Sequence, residues 1–457
     1  MRRTFTLTLL LLSLLAPAAA QGATRHVVRG AGFGHGIGMS QYGAYGFAQQ
    51  GFSFQRILAH YYRDTKLSQA PSRPVRVLLQ ASRPSVRFRG ATGASGGRRL
   101  DPETTYTVRR AGPDGVSLSG DGKVVGTFPS PLRVNGSDAP LRLLGRAING
   151  LSGGTYRGAL ELVPGAAGGV TAVNSLPIDP YVQGVVAGEM PSSWALAALR
   201  AQAVTARTYA LATRKRGGTF DQYPDTRSQV YRGVRGETAR SNTAVRDTAG
   251  KILTYEGEPA VTFYFSTSGG RTENVELSFL NSEPKPWLKS VEDPYDDLSP
   301  RHRWRFQFSS RQLGARLGAR GAFRKVRVIE RGLSPRIVRA RVYGSRGSHV
   351  LTGAQIRARL GLYDSWAYFT RVSTSQVGRP TARRARAGAA FPEIAGTFDP
   401  APRSRALLVE RRRGRRWERV GEIPTSRRGR YRSTLATPGT YRVRAGAVAG
   451  PAVRVRG

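Results

Sequence analysis

The hydrophobic positions of this chain follow a helical period most clearly between residues 178 and 212. In the first part of this stretch, apolar residues recur at spacings of three and four: Val182, Val185 and Val186. Asp179 followed by Pro180 is a start signal, because Asp caps free N–H groups and Pro suits the first helical position. Pro191 cannot continue the helix, which is therefore expected to end just before it.

A second helix is predicted after this proline, with Ser192 or Ser193 as its cap. Its buried stripe consists of small and aliphatic residues: Leu196, Leu199, Ala203, Ala206 and Ala210. Glu189 ends the first helix on the same face as the valines. Burial among apolar groups would raise the pKa of this carboxyl, as a general acid near neutral pH requires. The alternative is a glutamate that turns to solvent at the helix end.

Elsewhere apolar and polar residues alternate with the period of two that is typical of strands. Four such runs lie at 75–79, 106–110, 141–145 and 156–163, and others lie within 251–343 and beyond 390. A short helix is expected near 311–317. The predicted fold class is α+β. The expected segments are a catalytic region at 21–372 with a β-rich part at about 75–165, a linker at 373–390, and a β-sandwich-like module at 391–457.

Five glycines surround His35 between residues 30 and 38. They form neither a phosphate loop nor a dinucleotide fingerprint, because no Lys-Ser/Thr pair and no βαβ unit follow. Glycines allow the backbone to approach a ligand or another strand closely. Ser40 is expected to cap a helix over 41–50, and Ser53 a second helix. His35 could bond to a catalytic acid or to substrate, or simply hold this loop.

Together these segments resemble the SpoIID/LytB proteins, the sporulation stage II protein D and amidase-enhancer family of bacterial cell walls. The similarity runs from about residue 27 to 369. It rests on GHGIGMSQYGA at 34–44, the YVQGVVAGEMPSSW block from 181, SQVYRG at 228–233, the segment 252–274, and LTGAQIRARLGLYDSWAYF at 351–369. The resemblance implies cleavage of peptidoglycan glycan strands by a lytic transglycosylase, with Glu189 as the catalytic acid.

The order of these motifs differs from that of the family, in which the GHG block usually follows the LGL-type stretch. Here the block comes first, and a circular permutation explains this order. The strand at 25–29 would then lie where the chain would otherwise continue from 367–372. This hypothesis predicts that His35 and Glu189 share one cleft.

A secretory signal peptide is predicted at residues 1–20, from Arg2-Arg3, an apolar run and a final Ala18-Ala19-Ala20. The protein is therefore expected to be secreted and associated with the cell wall. Its net charge of +43 would ordinarily suggest DNA binding. Export argues against a nucleic-acid partner, and arginine also binds the phosphodiesters and carboxylates of wall polymers.

The chain contains no cysteine, which excludes disulfides and thiolate chemistry. Its five histidines are scattered, without the spacing of a metal site. We therefore predict no cofactor and no required metal.

The reaction is predicted from the number of acids near the site. Hydrolysis usually needs a second carboxylate, and Glu189 is the only acid in its motif. A transglycosylase can use one acid, which protonates the glycosidic oxygen and then accepts a proton from the substrate's own C6 hydroxyl. Closure of that hydroxyl on the anomeric carbon gives a 1,6-anhydro end. Asp179 is expected to serve only as a helix cap.

Other polar residues are expected to bind substrate or support the acid. They are His35, Ser40, Gln41, Tyr42, Gln202, Arg207, Gln229, Tyr231, Ser266, Ser268, Gly269 and Gly270. Gln229 and Tyr231 are predicted on one face of a strand, and the turn from Ser266 to Gly270 is suited to sugar hydroxyls. The alternatives to a transglycosylase are a glycoside hydrolase, a non-catalytic wall-binding protein that recruits or enhances an amidase, and a polyanion-binding surface protein.

Overall fold

The computed structural model describes residues 24–215, 217–377, 391–399, 401–446 and 448–455. The predicted signal peptide at 1–20 and most of the predicted linker lie outside these residues. The described helices are α1 (Gln41–Gln49), α2 (Phe54–Tyr61), α3 (Ile178–Glu189), α4 (Leu196–Ala212), α5 (Ala239–Asp247), α6 (Val275–Ser278), α7 (Ser310–Leu317) and α8 (Gly353–Leu360). None of them is both long and apolar enough to cross a bilayer.

Strands make up much of the remaining described chain. The first fifteen are β1 (Thr24–Ala31), β2 (Met39–Ser40), β3 (Lys66–Gln69), β4 (Pro74–Arg83), β5 (Val86–Arg89), β6 (Gly93–Ala94), β7 (Arg98–Arg99), β8 (Tyr106–Arg110), β9 (Gly115–Gly120), β10 (Lys123–Pro129), β11 (Leu132–Asn135), β12 (Leu141–Leu144), β13 (Thr155–Tyr156), β14 (Ala159–Pro164) and β15 (Val170–Pro177). The others are β16 (Lys251–Tyr255), β17 (Glu258–Pro259), β18 (Tyr264–Phe265), β19 (Arg303–Ser309), β20 (Phe323–Arg331), β21 (Ile337–Gly344), β22 (Gly347–Thr352), β23 (Ala367–Val377), β24 (Phe391–Thr397), β25 (Ala406–Arg413), β26 (Arg416–Pro424), β27 (Arg430–Thr434), β28 (Gly439–Ala445), β29 (Val448–Ala449) and β30 (Val453–Val455).

The α+β class is confirmed, and the four strand runs predicted before residue 165 are all found as strands. They belong to two six-stranded sheets, ordered β10-β9-β8-β5-β12-β13 and β4-β15-β14-β11-β6-β7. The two sheets and α3 share one hydrophobic core, which includes Phe88, Leu160 and Val185. This core supports α3, the helix that ends at Glu189. The domain boundaries themselves stay predictions.

The predicted helix faces are found where the pattern put them. Val182, Val185 and Val186 are fully buried on α3, and the helix ends at Glu189 before Pro191. Ser40 caps α1 and Ser53 caps α2 through their hydroxyls.

Two predicted helix caps are wrong. The helix α3 begins at Ile178 without a side-chain cap, and Asp179 lies in its first turn. The cap residue of α4 is Ala195, because Pro191 opens a turn in which its carbonyl accepts the N–H of Trp194 at 3.1 Å. Ser192 and Ser193 lie inside that turn.

The N-terminal strand β1 lies between β19 and β23, antiparallel to both. Arg25 is opposite Val372 and Arg29 is opposite Tyr368. The strand therefore occupies the position that the circular permutation predicts, beside 367–372. An antiparallel neighbour at this position is what a hairpin between the two segments would give.

The strands after residue 390 belong to two sheets. β24 and β27 continue the sheet of β19, β1 and β23, whereas β25, β26, β28 and β29 form a second sheet to which β30 is added. A core that includes Val372, Leu407 and Val443 lies between them. The sandwich architecture stays a prediction, but β24 pairs directly with β23, so this region shares a sheet with the N-terminal strand.

Candidate functional site

Glu189 is partly buried at the C-terminal end of α3. Its Oε1 accepts the main-chain N–H of Val230 at 2.6 Å. Burial raises the pKa of Glu189 above its ordinary value, while the Val230 N–H, the Tyr264 hydroxyl and the charge of Arg232 each pull that pKa down. The carboxyl is thus held with an elevated proton affinity, as the valine face suggested.

A chain of buried hydrogen bonds leads to this carboxyl from the interior. The Tyr181 hydroxyl donates to Gln229 Oε1 at 3.0 Å, and Gln229 Nε2 donates to the Tyr264 hydroxyl at 3.0 Å. Because the Tyr264 oxygen accepts from Gln229, its own proton is free to be donated to Glu189. Gln229 therefore orients the tyrosine instead of contacting substrate.

The predicted strand through Gln229 and Tyr231 is not observed, since 228–232 has no regular secondary structure. Both side chains nevertheless pack on α3. The Tyr231 ring stacks on Tyr181 at 5.2 Å, and its hydroxyl donates to Asn174 Oδ1 at 2.6 Å. Side-chain hydrogen bonds hold this segment in place of a strand ladder.

The GHG block reaches the acid through Gln41. Its Nε2 donates to the main-chain carbonyl of Glu189 at 3.1 Å and lies 3.4 Å from Gln202 Oε1. Gln202 is fully buried, and its Nε2 has no hydrogen-bond partner within the described residues. Gln41 and Gln202 thus support the helix end that carries the carboxyl.

Arg207 supports the fold from the other end of α3. Its guanidinium is fully buried, pairs with Asp179 Oδ1 at 2.6 Å and donates to the Lys251 carbonyl at 2.9 Å. Asp179 also accepts the Gly250 N–H at 3.2 Å. The aspartate is therefore the partner of a buried arginine, and not the predicted helix cap.

Within the described residues, the partners of His35 are structural. Its Nδ1 accepts the N–H of Ile37 at 3.1 Å, its ring bonds to the main chain of Tyr264, and its carbonyl accepts the Ser278 hydroxyl at 2.6 Å. Burial, followed by the charges of Arg357 and Arg336, lowers the pKa of His35 to about 3, so the ring is neutral.

The predicted shared cleft of His35 and Glu189 is not what the chain forms. His35 packs against the rings of Phe263 and Phe265 at 5.8 and 5.4 Å. The Tyr264 hydroxyl, between these two residues in sequence, bonds to Glu189. Side chains alternate along an extended segment, so His35 and Glu189 lie on opposite sides of 263–265. His35 lines a separate pocket that does not include Glu189.

The turn from Ser266 to Gly270 is largely buried. The Gly269 N–H donates to Asp296 Oδ2 at 2.5 Å, and the Ser268 carbonyl accepts from Arg336 at 2.8 Å. Ser266 is less buried, and its carbonyl accepts the Tyr42 N–H at 3.0 Å. The turn therefore anchors α1 and the neighbouring loops, and its two ends, Ser266 and Gly270, are partly exposed.

An aromatic cluster lies just beyond Glu189. Trp194 stacks on Tyr45 at 4.5 Å and meets the edge of Tyr42 at 4.7 Å. Trp194 is 9% exposed, while both tyrosines are partly exposed. Tyr42 was among the residues predicted to bind substrate, whereas Tyr45 and Trp194 were not. Trp194 ends the YVQGVVAGEMPSSW block, and Tyr45 directly follows the GHGIGMSQYGA motif.

Tyr264, Val230 and Arg232 were also missed by sequence reasoning. Val230 and Arg232 lie in the SQVYRG motif at 228–233, and Tyr264 lies in the segment 252–274. Val230 acts through its main-chain N–H, which does not depend on the type of residue. Tyr264 and Arg232 act through their positions in short or irregular segments, which no periodic pattern predicts. Among the described residues, no three His, Asp or Glu side chains converge as a metal site would require.

Comparisons with known proteins place this site in context. Residues 166–255, which include Glu189, match the family model SpoIID, described as stage II sporulation protein. The chain is 34% identical over 211 residues to stage II sporulation protein D of Bacillus amyloliquefaciens, covering 42% of this chain and 59% of that protein. It is 33% identical over 213 residues to the same protein of Bacillus subtilis, covering 42% of this chain and 60% of that protein. It is also 39% identical over 133 residues to the amidase enhancer of Bacillus subtilis, covering 29% of this chain and 17% of that protein. The chain thus spans about three fifths of the two stage II proteins.

Proposed function

From the premise that this chain belongs to the SpoIID/LytB family, we propose that it is a lytic transglycosylase of the bacterial cell wall. It cleaves the glycan strands of peptidoglycan and leaves 1,6-anhydro ends. Glu189 is its single acid and base.

One observation carries this proposal. Burial raises the pKa of Glu189, and the groups that perturb it within the described residues include no second carboxylate. A paired carboxylate is what a hydrolase would need to activate water or to form a glycosyl-enzyme. The solitary acid favours the route in which the substrate supplies its own nucleophile.

The reaction then proceeds by proton transfer through one side chain. Neutral Glu189 protonates the glycosidic oxygen as the bond to the anomeric carbon breaks. The resulting carboxylate is stabilised by the Val230 N–H, the Tyr264 hydroxyl and the charge of Arg232. It accepts the proton of the C6 hydroxyl as that oxygen bonds to the anomeric carbon, which restores the neutral acid.

The surroundings of Glu189 suit a glycan. Tyr42 and Tyr45 are partly exposed and are held by Trp194, so their rings can stack against sugar faces. The net charge of +43 favours attachment to anionic wall polymers. Exposed arginines beyond residue 390 would contribute: Arg412, Arg415, Arg416, Arg427 and Arg428. The predicted signal peptide supports a location outside the membrane.

A second candidate is a non-catalytic protein that recruits or enhances an amidase. It is favoured by the similarity of this chain to a protein named amidase enhancer. The two candidates differ in what Glu189 does, since an enhancer would not need its proton.

The test is digestion of purified peptidoglycan, intact and stripped of stem peptides, with mass spectrometry of the released fragments. The wild type is compared with Glu189→Gln and with Glu258→Gln, a control at an exposed glutamate on β17. We expect anhydro-ended fragments from the wild type and the control only. Reducing ends would indicate a hydrolase. No cleavage by the wild type, together with faster stem-peptide release by an added amidase, would favour the enhancer.

A further inference from the structure

A pocket of about 230 Å³ lies beside His35, apart from Glu189. One wall is the first turn of α8, with Thr352, Gly353 and Ala354. Facing it is an apolar wall that includes Leu277, Phe279 and Leu280. A capping box between Thr352 and Gln355 already satisfies one of the first N–H groups of α8, but the helix dipole still makes this end of α8 electropositive.

Most charged groups around this pocket are already committed to partners. Arg336 forms a bidentate pair with Asp364, at 2.9 and 2.8 Å. Both oxygens of Glu273 accept hydrogen bonds, from Asn274 and Leu333 N–H on one side and from Ser334 on the other. His35 is neutral. Arg336 is thus paired with an opposite charge and the oxygens of Glu273 are occupied by hydrogen bonds, so neither side chain offers a free donor to a ligand.

Arg357 is the exception. It lies in the second turn of α8, is partly buried, and lines the pocket. Within the described residues its guanidinium has no hydrogen bond or salt bridge. Asp364 acts on it through its charge, but the oxygens of that carboxylate are held by Arg336 and the Trp366 N–H. The guanidinium is only partly buried and has five donors, so it is free to bind an acceptor that enters the pocket.

We propose that this pocket is a binding site for a compact anion, a carboxylate or phosphate group, held by Arg357. A guanidinium binds either group through two parallel hydrogen bonds. The N-terminus of α8 adds to the attraction, and the apolar wall accommodates a small apolar group carried by the anion. The site is distinct from the proposed catalytic site, so it stands whether or not the chain cleaves glycan.

The experiment is calorimetric titration of the full chain with three probes: N-acetylalanine, inorganic phosphate, and the neutral N-acetylalanine amide. We expect saturable binding of at least one of the two anions, with a dissociation constant on the order of 1 mM, and none of the amide. Binding of N-acetylalanine alone identifies a peptide carboxylate as the source. Binding of phosphate alone identifies a phosphate-bearing wall component.

The decisive comparison is between two arginines of the same helix. Arg357→Gln should weaken anion binding by at least about tenfold. Arg359→Gln, which removes the same charge from an exposed position, should leave it unchanged. Equal binding by the wild type and Arg357→Gln, or no saturable binding of either anion up to about 10 mM, overturns the proposal.

A second measurement does not depend on the folding of the glutamine variant. In the wild-type protein, the Nε–H resonance of Arg357, assigned by its absence in Arg357→Lys, should shift on addition of the bound anion. A resonance that does not move while calorimetry reports binding would also overturn the assignment to Arg357.

Discussion

Gln41 Nε2 donates to the main-chain carbonyl of Glu189 at 3.1 Å, across a separation of 148 residues. This bond joins the displaced N-terminal block to the helix that carries the acid. The block lies there because β1 pairs with β23 on one side and Phe265 pairs with Ser40 on the other. Motifs separated by 148 residues thus meet beside one carboxyl.

Gln41→Ala should reduce glycan cleavage, because Gln41 is buried and bonds to the main chain of Glu189. The substitution removes the donor to the Glu189 carbonyl and leaves Gln202 Oε1 without this donor. We expect a loss of about 1–3 kcal/mol in the free energy of unfolding. Because the acid is then less well positioned, the cleavage rate should fall roughly tenfold.

Urea unfolding and initial rates of fragment release measure the two effects. Gln49→Ala is the matched control, since Gln49 lies on the exposed side of α1. Equal activity of the two variants would show that the Gln41 bond does not position the acid.

Tyr264→Phe should move the pH dependence of cleavage. The Tyr264 hydroxyl lowers the pKa of Glu189 by bonding to its charged form, so its removal raises that pKa further. The reaction requires the protonated acid, so activity is lost as the pH rises through the pKa of Glu189. The basic limb of the pH–rate profile should therefore shift to higher pH in this variant.

Arg232→Gln should shift the same limb in the same direction, because the charge of Arg232 also lowers the pKa of Glu189. Tyr255→Phe, at a tyrosine remote from these contacts, serves as the control. A limb that stays in place or moves to lower pH in Tyr264→Phe would argue against Glu189 as the acid.

Asp179→Asn should destabilise the protein without weakening substrate binding. Its partner Arg207 is fully buried, and an unpaired buried guanidinium costs about 3 kcal/mol or more. Asp247→Asn breaks the more exposed pair with Arg200 and should cost no more than about 1 kcal/mol. Urea unfolding measures the difference, and an altered KM of Asp179→Asn for glycan would contradict a purely structural role of this pair.

Stability should fall as the pH rises from the acid range toward neutrality, because of Asp293. Burial, with the charge of Asp296, raises the pKa of Asp293 from 3.8 to about 7. A group whose folded pKa is raised contributes stability that is complete below the unfolded pKa and is lost as the pH rises through the folded pKa. The window for this loss therefore runs from about pH 4 to about pH 7.

The loss from this one group is on the order of 4 kcal/mol. Asp293→Asn cannot ionise and should keep its stability across the window. Urea unfolding of both proteins at several pH values measures the effect. Parallel curves for the wild type and the variant would mean that Asp293 does not titrate in this range.

Local patterns predicted much of what lies near the site. The valine face of α3, its end before Pro191 and the Ser53 cap of α2 follow from local sequence patterns alone, and all are observed. The raised pKa of Glu189 also followed, because desolvation at the end of an apolar face depends on nearby residues only.

Features set by distant contacts were beyond the sequence. Asp179 would be a good cap in isolation, but Arg207 on the next helix takes its carboxylate. The sequence pattern predicts Gln229 in a strand, but its side-chain amide forms hydrogen bonds with two tyrosines from other elements. His35 faces away from Glu189 because Phe263 and Phe265 lie on its side of their segment and Tyr264 on the other.

Digestion of stripped glycan strands in water enriched in oxygen-18 tests the role of Glu189 most directly. Cleavage by the intramolecular C6 hydroxyl takes up no solvent oxygen, whereas hydrolysis places one on the anomeric carbon of each new reducing end. We expect unlabelled anhydro ends from the wild type and Glu258→Gln, and no new ends from Glu189→Gln. Labelled reducing ends from the wild type, or unimpaired cleavage by Glu189→Gln, would contradict a single-acid transglycosylase centred on Glu189.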